Sequence, residues 1–583
     1  MNPSTACAAV MVDELIRLGL RHAVLCPGSR SAPLAYALAD ADAAGRLVLH
    51  VRVDERSAAF LAVGLAKETR TPAVVVTTSG TAVANLHPAV LEADTAGVPL
   101  LVLSADRPPE LRGTGANQTM DQVKLFGAAV RWAHDLGVPE RRVGQQAVWR
   151  SCLDRAWSAA IGDLGGQPGP VHVNIPFRDP LLPDLSESPQ LWPEALDGRP
   201  DGRAWTVTGA ETKSSPAFEA AAAVDPLLDV PRTLVVLGDL DDPQVCADVV
   251  DSAQAMGWPV VAEPFGRRSP QGVIPHGPLV ATVPEFLNSH LPERILVFGR
   301  PTLTRPLAAL LRISGVRVES VASSQAWPDP GHVLSRVYPW SAWQARRQVG
   351  PDVPRTEEDR AWSLSWAEAG RRLGVALGDF LESEELWPSG PALARAVIAA
   401  LPAGSRLFVG SSNAARDVDL ARSADELVVF ASRGLAGIDG NVATACGLAL
   451  AGEAPTYALM GDLTFLHDAN ALLLGPDEPE PDITFVVVDD SGGGIFATLE
   501  YGETGRERFF DRVFATPVRA DIAAIAAASG VSTVDVQDRS ALVEELSVPP
   551  QGIRVIRVQL DRSEHRTIGR RLRAVAEQSL STC

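Results

Sequence analysis

The first residues with a chemical use are two carboxylates at the ends of neighbouring apolar runs. Gly461-Asp462 closes TYALM and opens the polar stretch DLTFLHDAN, and Asp490 follows ITFVVVD 28 positions later. If both runs are strands of one parallel sheet, a crossover helix brings the two acids to the same sheet edge. A carboxylate beside a helix N-terminus suits a cation that bridges to phosphate, with the helix amides taking the phosphate oxygens. Two carboxylates, the bare backbone of Gly492-Gly493-Gly494 and phosphate oxygens form a hard ligand set suited to Mg2+. A lone strand–Asp–helix junction is also how an ordinary helix is capped, so the second acid is what favours the metal. In the first third, Glu55 follows the apolar run of VRVDERSA, where a glutamate taken alone reads as a capping or dipole residue.

These groups must be held by elements that the apolar pattern makes visible. HAVLCPG, LVLHVRVDE, PAVVVTTSG and PLLVLSADRP alternate with helical stretches, which predicts a parallel sheet covered on both faces. The same rhythm returns at RTLVVLGDLDD, WPVVAEPFG and RILVFGRPTL, and again from SRLFVGSSNAARDVDLA to ITFVVVDDSGGGIF. The expectation is an α/β protein of three doubly wound, mainly parallel-sheet domains. Their boundaries are set at 1–182, a proline-rich linker at 183–216, a central domain at 217–348, a helical linker at 349–380 and a last domain at 381–583. VRVDERSAAFLAVGLA can be laid against FASRGLAGIDGNVATACGLALA, each ending in Gly-Leu-Ala, and VVVTTSGTAVANL against YALMGDLTFLHDANAL. Any two strand–helix units share such features, but two pairs in the same order favour an internal duplication.

Composition narrows the function. A net charge of −19 argues against a nucleic-acid or anionic-membrane partner, and no apolar stretch reaches membrane-spanning length. The acidic opening MNPSTACAAVMVDELIRLG reads as an amphipathic helix, and the cytoplasm is the expected compartment. Cys7, Cys26, Cys152, Cys246, Cys446 and Cys583 are scattered with no C-x-x-C pair, so reduced thiols are expected. None of the three lysines, Lys67, Lys124 and Lys213, follows a glycine in a G-K-[ST] phosphate loop. LGDLDDP in the central segment lacks G-x-G-x-x-G, which leaves flavin or nicotinamide binding there unsupported.

Gly-Asp followed, after a crossover, by a strand ending in Asn or Asp resembles the signature of thiamine-diphosphate enzymes. The resemblance implies that Asp462, Asp490 and the carbonyl of Gly492 hold the Mg2+ (or Mn2+) of the diphosphate, although asparagine is usual where this chain has Asp490. It implies further cofactor contacts from Gly410, Ser412, Gly461, Leu463 and Thr464. Ile438 would wedge the bound thiamine diphosphate into its bent form, and Glu55 would be the catalytic glutamate facing the aminopyrimidine. Within this group CPGSRSAPL, TSGTAVANL, SADRPPEL, GANQT, SRGLAGIDG and GDLTFLHD together resemble the 2-succinyl-5-enolpyruvyl-6-hydroxy-3-cyclohexene-1-carboxylate synthases. The implied reaction decarboxylates 2-oxoglutarate and adds the succinyl-semialdehyde unit to isochorismate, a step of menaquinone biosynthesis.

Both implied substrates are dicarboxylates, which suits arginine because its fork pairs a carboxylate at two points. Arg30, Arg107, Arg305, Arg416 and Arg433 stand at strand ends or turns; each alone reads as a surface or salt-bridging residue, and as a set they fall on family substrate positions. The resemblance adds Ser29, Gln118 and Ser412 as polar contacts, and Phe496 and Leu499 as apolar walls. It also implies a homodimer or homotetramer, with the cofactor between the first domain of one chain and the last of another. The alternatives are another thiamine-diphosphate 2-oxoacid decarboxylase of the acetolactate-synthase kind, or a non-catalytic metabolite-binding α/β protein. CO2 release independent of isochorismate would favour the decarboxylase; turnover indifferent to loss of Glu55 would remove the proposed mechanism.

Overall fold

The computed structural model describes residues 1–183, 192–208, 226–240, 242–267, 272–323, 327–422, 425–503, 505 and 507–581. Three sheets with flanking helices account for the architecture, as the alternating pattern predicts. The chain divides into two compact units: 1–220 with 434–453 and 468–481, and 221–433 with 454–467 and 482–583. Of the linker expected at 183–216, residues 184–191 and 209–216 lie outside the described residues, as does the start of the expected central domain.

The first unit is built on strands β1 (His22–Leu25), β2 (Val48–Val51), β3 (Ala73–Thr77), β4 (Leu100–Asp106), β5 (Trp132–Asp135) and β6 (Pro170–Pro176). All are parallel, in the order β2-β1-β3-β4-β6-β5. Every residue of β3, β4 and β6 is buried, so these strands read in sequence as unbroken apolar runs and not as alternation. The helix Glu55–Thr69 is buried without a break from Ser57 to Ala66 because the helix Asn441–Ala451 packs across it. These helices belong to the two stretches whose sequences align. Glycines permit the close crossing: a Cβ on Gly64 would stand 2.1 Å from the Thr444 carbonyl oxygen, and one on Gly440 1.9 Å from Cγ of Phe60. The described part of the expected linker, 192–208, is tied down on this unit. The Trp205 amide donates to Glu14 at 2.6 Å, the Thr206 amide to Asp154 at 2.7 Å, and Arg150, fully buried against Glu14, donates to the Leu196 carbonyl at 2.7 Å.

The second unit carries two sheets. One is formed by β7 (Thr233–Leu237), β8 (Val260–Ala262), β10 (Arg294–Phe298), β11 (Arg317–Ala322) and β12 (Leu334–Pro339), in the order β12-β11-β10-β7-β8. The other joins β9 (Gly266–Arg267) to β13 (Arg406–Val409), β14 (Val428–Phe430), β15 (Thr456–Gly461), β16 (Ile483–Asp489), β17 (Ser532–Val536) and β18 (Ile553–Gln559). Its order is β17-β18-β16-β15-β13-β14-β9, with only β9 antiparallel. β9 therefore lends a piece of the central segment to the C-terminal sheet, and buried Arg422 holds it there by donating to the carbonyls of Pro264 and Gly266. The stretch read as a helical linker contains the helix Glu357–Glu382, opened by a Thr356/Asp359 capping box. Its apolar stripe, including Trp366, Leu373 and Leu377, shares a core with Ile568 and Leu572 of the C-terminal helix His565–Leu580. Among the described residues no helix is long and apolar enough to cross a membrane, and Cys7, Cys26, Cys152, Cys246 and Cys446 are buried thiols outside any disulfide.

Candidate active site

In an open parallel sheet, ligands bind beyond the carboxyl ends of the strands where the strand order reverses. In the last sheet that place lies between β13 and β15, and the loops leaving it carry Gly410 and Ser412 from β13, Asp462 from β15 and, one strand on, Asp490 from β16. Gly410 can only be small, since a Cβ there would lie 2.6 Å from that of Met460. Ser412 adopts φ 81°, ψ −134°, an uncommon conformation for a residue with a side chain, immediately before the helix Asn413–Ala421. Its carbonyl accepts from Arg416 at 2.8 Å.

Asp462 is buried and accepts from the Leu463 amide at 2.7 Å and the Gly492 amide at 2.8 Å. Burial, with Asp490 adding, pushes its carboxyl up to about 7. The two adjacent acids of VVVDDSGGGIF separate in the fold. Asp489 accepts from the Ser491 amide, its carbonyl accepts from Leu560, and its carboxylate lies 3.6 Å from Arg557, so it ends the strand. Asp490 turns inward, 2.8 Å through Oδ2 from Nε2 of His565, and its Oδ1 meets no donor among the described residues. Each glycine of the following run has its own reason. Gly492 has φ 136° and a Cβ there would sit 2.2 Å from the Ala515 carbonyl oxygen; one on Gly493 would sit 2.8 Å from that of Phe514; one on Gly494 would sit 1.9 Å from Oδ2 of Asp490.

The donor chemistry fits a hard cation. Two carboxylates converge, one of them paying for burial in a raised pKa, beside a backbone too crowded for side chains. Among the described residues no three acid, histidine or cysteine side chains come together as a metal cluster, so further ligands would have to be backbone or ligand oxygens. Half-buried Asp417, whose carboxyl burial raises to about 7 with Asp490 contributing, faces His565, Asp490 and Arg416.

Cations gather beside this edge. Burial depresses the Arg416 guanidinium, and Arg433 and Arg305 add to the depression. Arg433 is buried, donates to the Thr302 carbonyl at 3.2 Å and hydroxyl at 3.0 Å, and lies over the Phe265 ring. Arg305 is exposed at the start of the helix Arg305–Leu310 and pairs with Glu500 at 3.0 Å. Phe496 packs near the rings of Tyr501 and Phe514, and Arg566 pins the turn at Leu499 by donating to its carbonyl.

In the first unit the strand order reverses between β1 and β3, and two arginines stand near that edge. Arg30 donates to the Phe177 carbonyl at 3.0 Å, and Arg107 donates to the Ser79 hydroxyl, its guanidinium depressed by burial and by Arg30 beside it. Gln118, at φ 57°, is locked to the same turn: Ser79 Oγ donates to its carbonyl at 2.8 Å and its Nε2 donates to the Ser79 carbonyl at 2.9 Å. Ser29 is exposed in the loop after β1. Glu55 is the first residue of its helix, but the capping is done by Asp54, whose Oδ1 accepts from the amides of Arg56 and Ser57. The Glu55 carboxylate is half-buried and has no hydrogen-bond partner among the described residues. Ile438 is half-buried in the turn before the helix Asn441–Ala451, and buried Glu92 holds the head of that turn by accepting from the amides of Gly434 and Leu435.

The structure thus brings Arg30, Arg107 and Gln118 together in the first unit. In the second it brings Asp462 and Asp490 to Gly492, and Arg416 to Arg433 and Arg305. His565, Asp417, Ser79 and Glu92 are structural partners that sequence reasoning missed, since none lies in a recognisable pattern. His87 packs edge-on against Phe126, 5.4 Å between ring centres.

Residues 5–125 match the family described as thiamine pyrophosphate enzyme, N-terminal TPP binding domain, and residues 410–548 match its C-terminal TPP binding domain. The chain is 47% identical, over all of both chains, to 2-succinyl-5-enolpyruvyl-6-hydroxy-3-cyclohexene-1-carboxylate synthase of Saccharopolyspora erythraea. It is 46% identical over all of both chains to the synthase of that name from Kineococcus radiotolerans, and 46% identical over 98% of each to that of Thermobifida fusca. In fold it is similar to benzoylformate decarboxylase from Polynucleobacter necessarius, with a TM-score of 0.67 and 19% identity, covering 96% of this chain and 99% of that one. Full-length identity of this order, on top of the paired acids and the arginine-rich sheet edges, means that the chain belongs to the 2-succinyl-5-enolpyruvyl-6-hydroxy-3-cyclohexene-1-carboxylate synthase family of thiamine-pyrophosphate enzymes.

Proposed function

We propose that the chain is a thiamine-diphosphate-dependent transferase that decarboxylates 2-oxoglutarate and joins the succinyl-semialdehyde unit to isochorismate in menaquinone biosynthesis. The observation that carries this reading is that Arg433 and Arg305 both bear electrostatically on Arg416 in a protein whose net charge is −19. Grouping like charges costs free energy, and dicarboxylate substrates would offset it. Arg30 and Arg107, with Ser29 and Gln118, would hold carboxylate or hydroxyl groups in the same way, and Ser412 would add a polar contact.

Asp462, Asp490 and the Gly492 carbonyl would hold Mg2+ or Mn2+, with Gly410, Gly461, Leu463, Thr464 and Ile438 against the cofactor. Bound thiamine diphosphate supplies the electron sink that lets CO2 leave. Glu55, relieved of capping by Asp54, would hydrogen-bond the aminopyrimidine ring nitrogen and fix where its proton sits. Phe496 and Leu499 would keep water from the reacting carbon. A homodimer or homotetramer in the cytoplasm completes the reading. The test is to incubate the protein with thiamine diphosphate, Mg2+, 2-oxoglutarate and isochorismate and to weigh the product. The expected mass is that of both substrates less CO2. CO2 release that is the same without isochorismate, with no adduct formed, would overturn the assignment.

A further inference from the structure

Asp490 brings a charge and a second equivalent oxygen to a position where the resembled enzymes usually carry an amide, which presents one oxygen only. In this chain one of the two oxygens is already engaged. His565, the first residue of the helix His565–Leu580, places Nε2 at 2.8 Å from Oδ2, and both side chains are about nine-tenths buried. The contact is built into the packing around it. A Cβ on Gly494 would fall 1.9 Å from the same Oδ2 and 2.8 Å from Nε2 of His565, so the third glycine of the run is the space the pair occupies. The Asp417 carboxylate also acts on His565 electrostatically, and its Oδ2 would lie 2.4 Å from a Cβ on Gly390. Two glycines from distant parts of the chain therefore leave room, Gly494 for the Asp490–His565 pair and Gly390 for the Asp417 carboxylate.

We propose that His565 is a positioning residue for the metal site: by donating to Oδ2 it holds Asp490 in one orientation and leaves a single oxygen for the cation, as asparagine would. An imidazole N–H held on a ligating carboxylate orients the ligand and damps its rotation. The proposal rests on the functional reading above, because it takes Asp490 as a ligand of the cofactor's cation.

Calorimetric titration of thiamine diphosphate at stepped Mg2+ concentrations tests it without turnover. His565→Phe should raise the half-saturating Mg2+ by about tenfold or more, the usual effect of losing such a partner. His565→Gln, which keeps an N–H near the same place, should recover most of that loss. In Asp490→Asn protein, His565→Phe should shift the half-saturating Mg2+ by no more than about twofold, since coupling is lost with the carboxylate. An unchanged Mg2+ requirement in His565→Phe protein, or an equal loss in both backgrounds, would overturn the proposal. Wild-type protein that takes up no thiamine diphosphate at any Mg2+ concentration would instead bring down the functional reading beneath it.

Discussion

Gly64 and Gly447 lie against each other where two helices of the first unit cross: a Cβ on Gly447 would stand 2.9 Å from Cα of Gly64 and 2.3 Å from the Leu61 carbonyl oxygen. Each is the glycine of a Gly-Leu-Ala in stretches that align by sequence, so the helices of the two aligned stretches pack against each other. The neighbours are backbone atoms of rigid helices and cannot swing aside. Gly64→Ala should destabilise the protein by about 1–3 kcal/mol or more. The control is Gly569→Ala, a helical site with nothing within 4 Å, which should be neutral or stabilising. Thermal melts of both variants check the contrast; equal melting temperatures would remove the crossing as the cause.

Asp468 is fully buried between these same helices, accepting from Ser57 Oγ at 2.9 Å and the Ala443 amide at 2.8 Å. Burial outweighs both hydrogen bonds and raises its carboxyl to about 6. Between roughly pH 4 and 6 the folded state keeps a proton that the unfolded chain has released, so stability falls as pH rises through that window. The penalty is on the order of 3 kcal/mol and is fully present above pH 6. Asp468→Asn cannot ionise. Its melting temperature relative to wild type should therefore improve between pH 4.5 and 7, and a pH-independent difference would count against this account.

Glu55→Gln should leave thiamine diphosphate affinity and melting temperature nearly unchanged while lowering kcat by about 10²–10⁴-fold, the range expected of a lost acid–base group. Single-turnover rates with saturating substrates measure it. A variant that keeps most of its turnover would return Glu55 to the status of a dipole residue at a helix start.

Arg416→Lys keeps a charge but loses the planar fork, and should raise the KM of the substrate it binds by about tenfold, with Arg416→Ala worse. Cofactor affinity should not move in either. If Arg416→Lys matches wild type in KM for both substrates, two-point carboxylate pairing at this residue is excluded.

Removing the cation should release the cofactor. Dialysis against EDTA is expected to abolish thiamine diphosphate binding, and added Mg2+ to restore it; Asp462→Ala should lose about tenfold or more in Mg2+ affinity and fail to be rescued at ordinary Mg2+. Undiminished cofactor uptake in EDTA would dissociate the paired acids from the cofactor.

Much of the fold was legible because its signals are local. Buried parallel strands read as apolar runs such as AVVVT and LLVLSAD, and the acids at 462 and 490 stand at their strand ends. The antiparallel β9 was not legible, since two residues in a loop carry no periodicity and their pairing with β14 depends on Arg422, far away in sequence. Nor was the docking of 192–208, where polar and proline-rich composition reads as a linker while Glu14 and Asp154 receive its amides.

What the sequence determined by itself is the type of chemistry: alternating α/β units, two carboxylates one crossover apart, a glycine run and a set of turn arginines. What only the tertiary structure decided is which of these groups are engaged and with whom. Asp54 rather than Glu55 caps its helix, Asp489 ends a strand while Asp490 meets His565, and Gly494 is bare because that pair fills its space. The reason is physical. Burial and hydrogen bonding set a side chain's role through neighbours brought close by folding, and 75 positions of chain separate Asp490 from the imidazole that holds it.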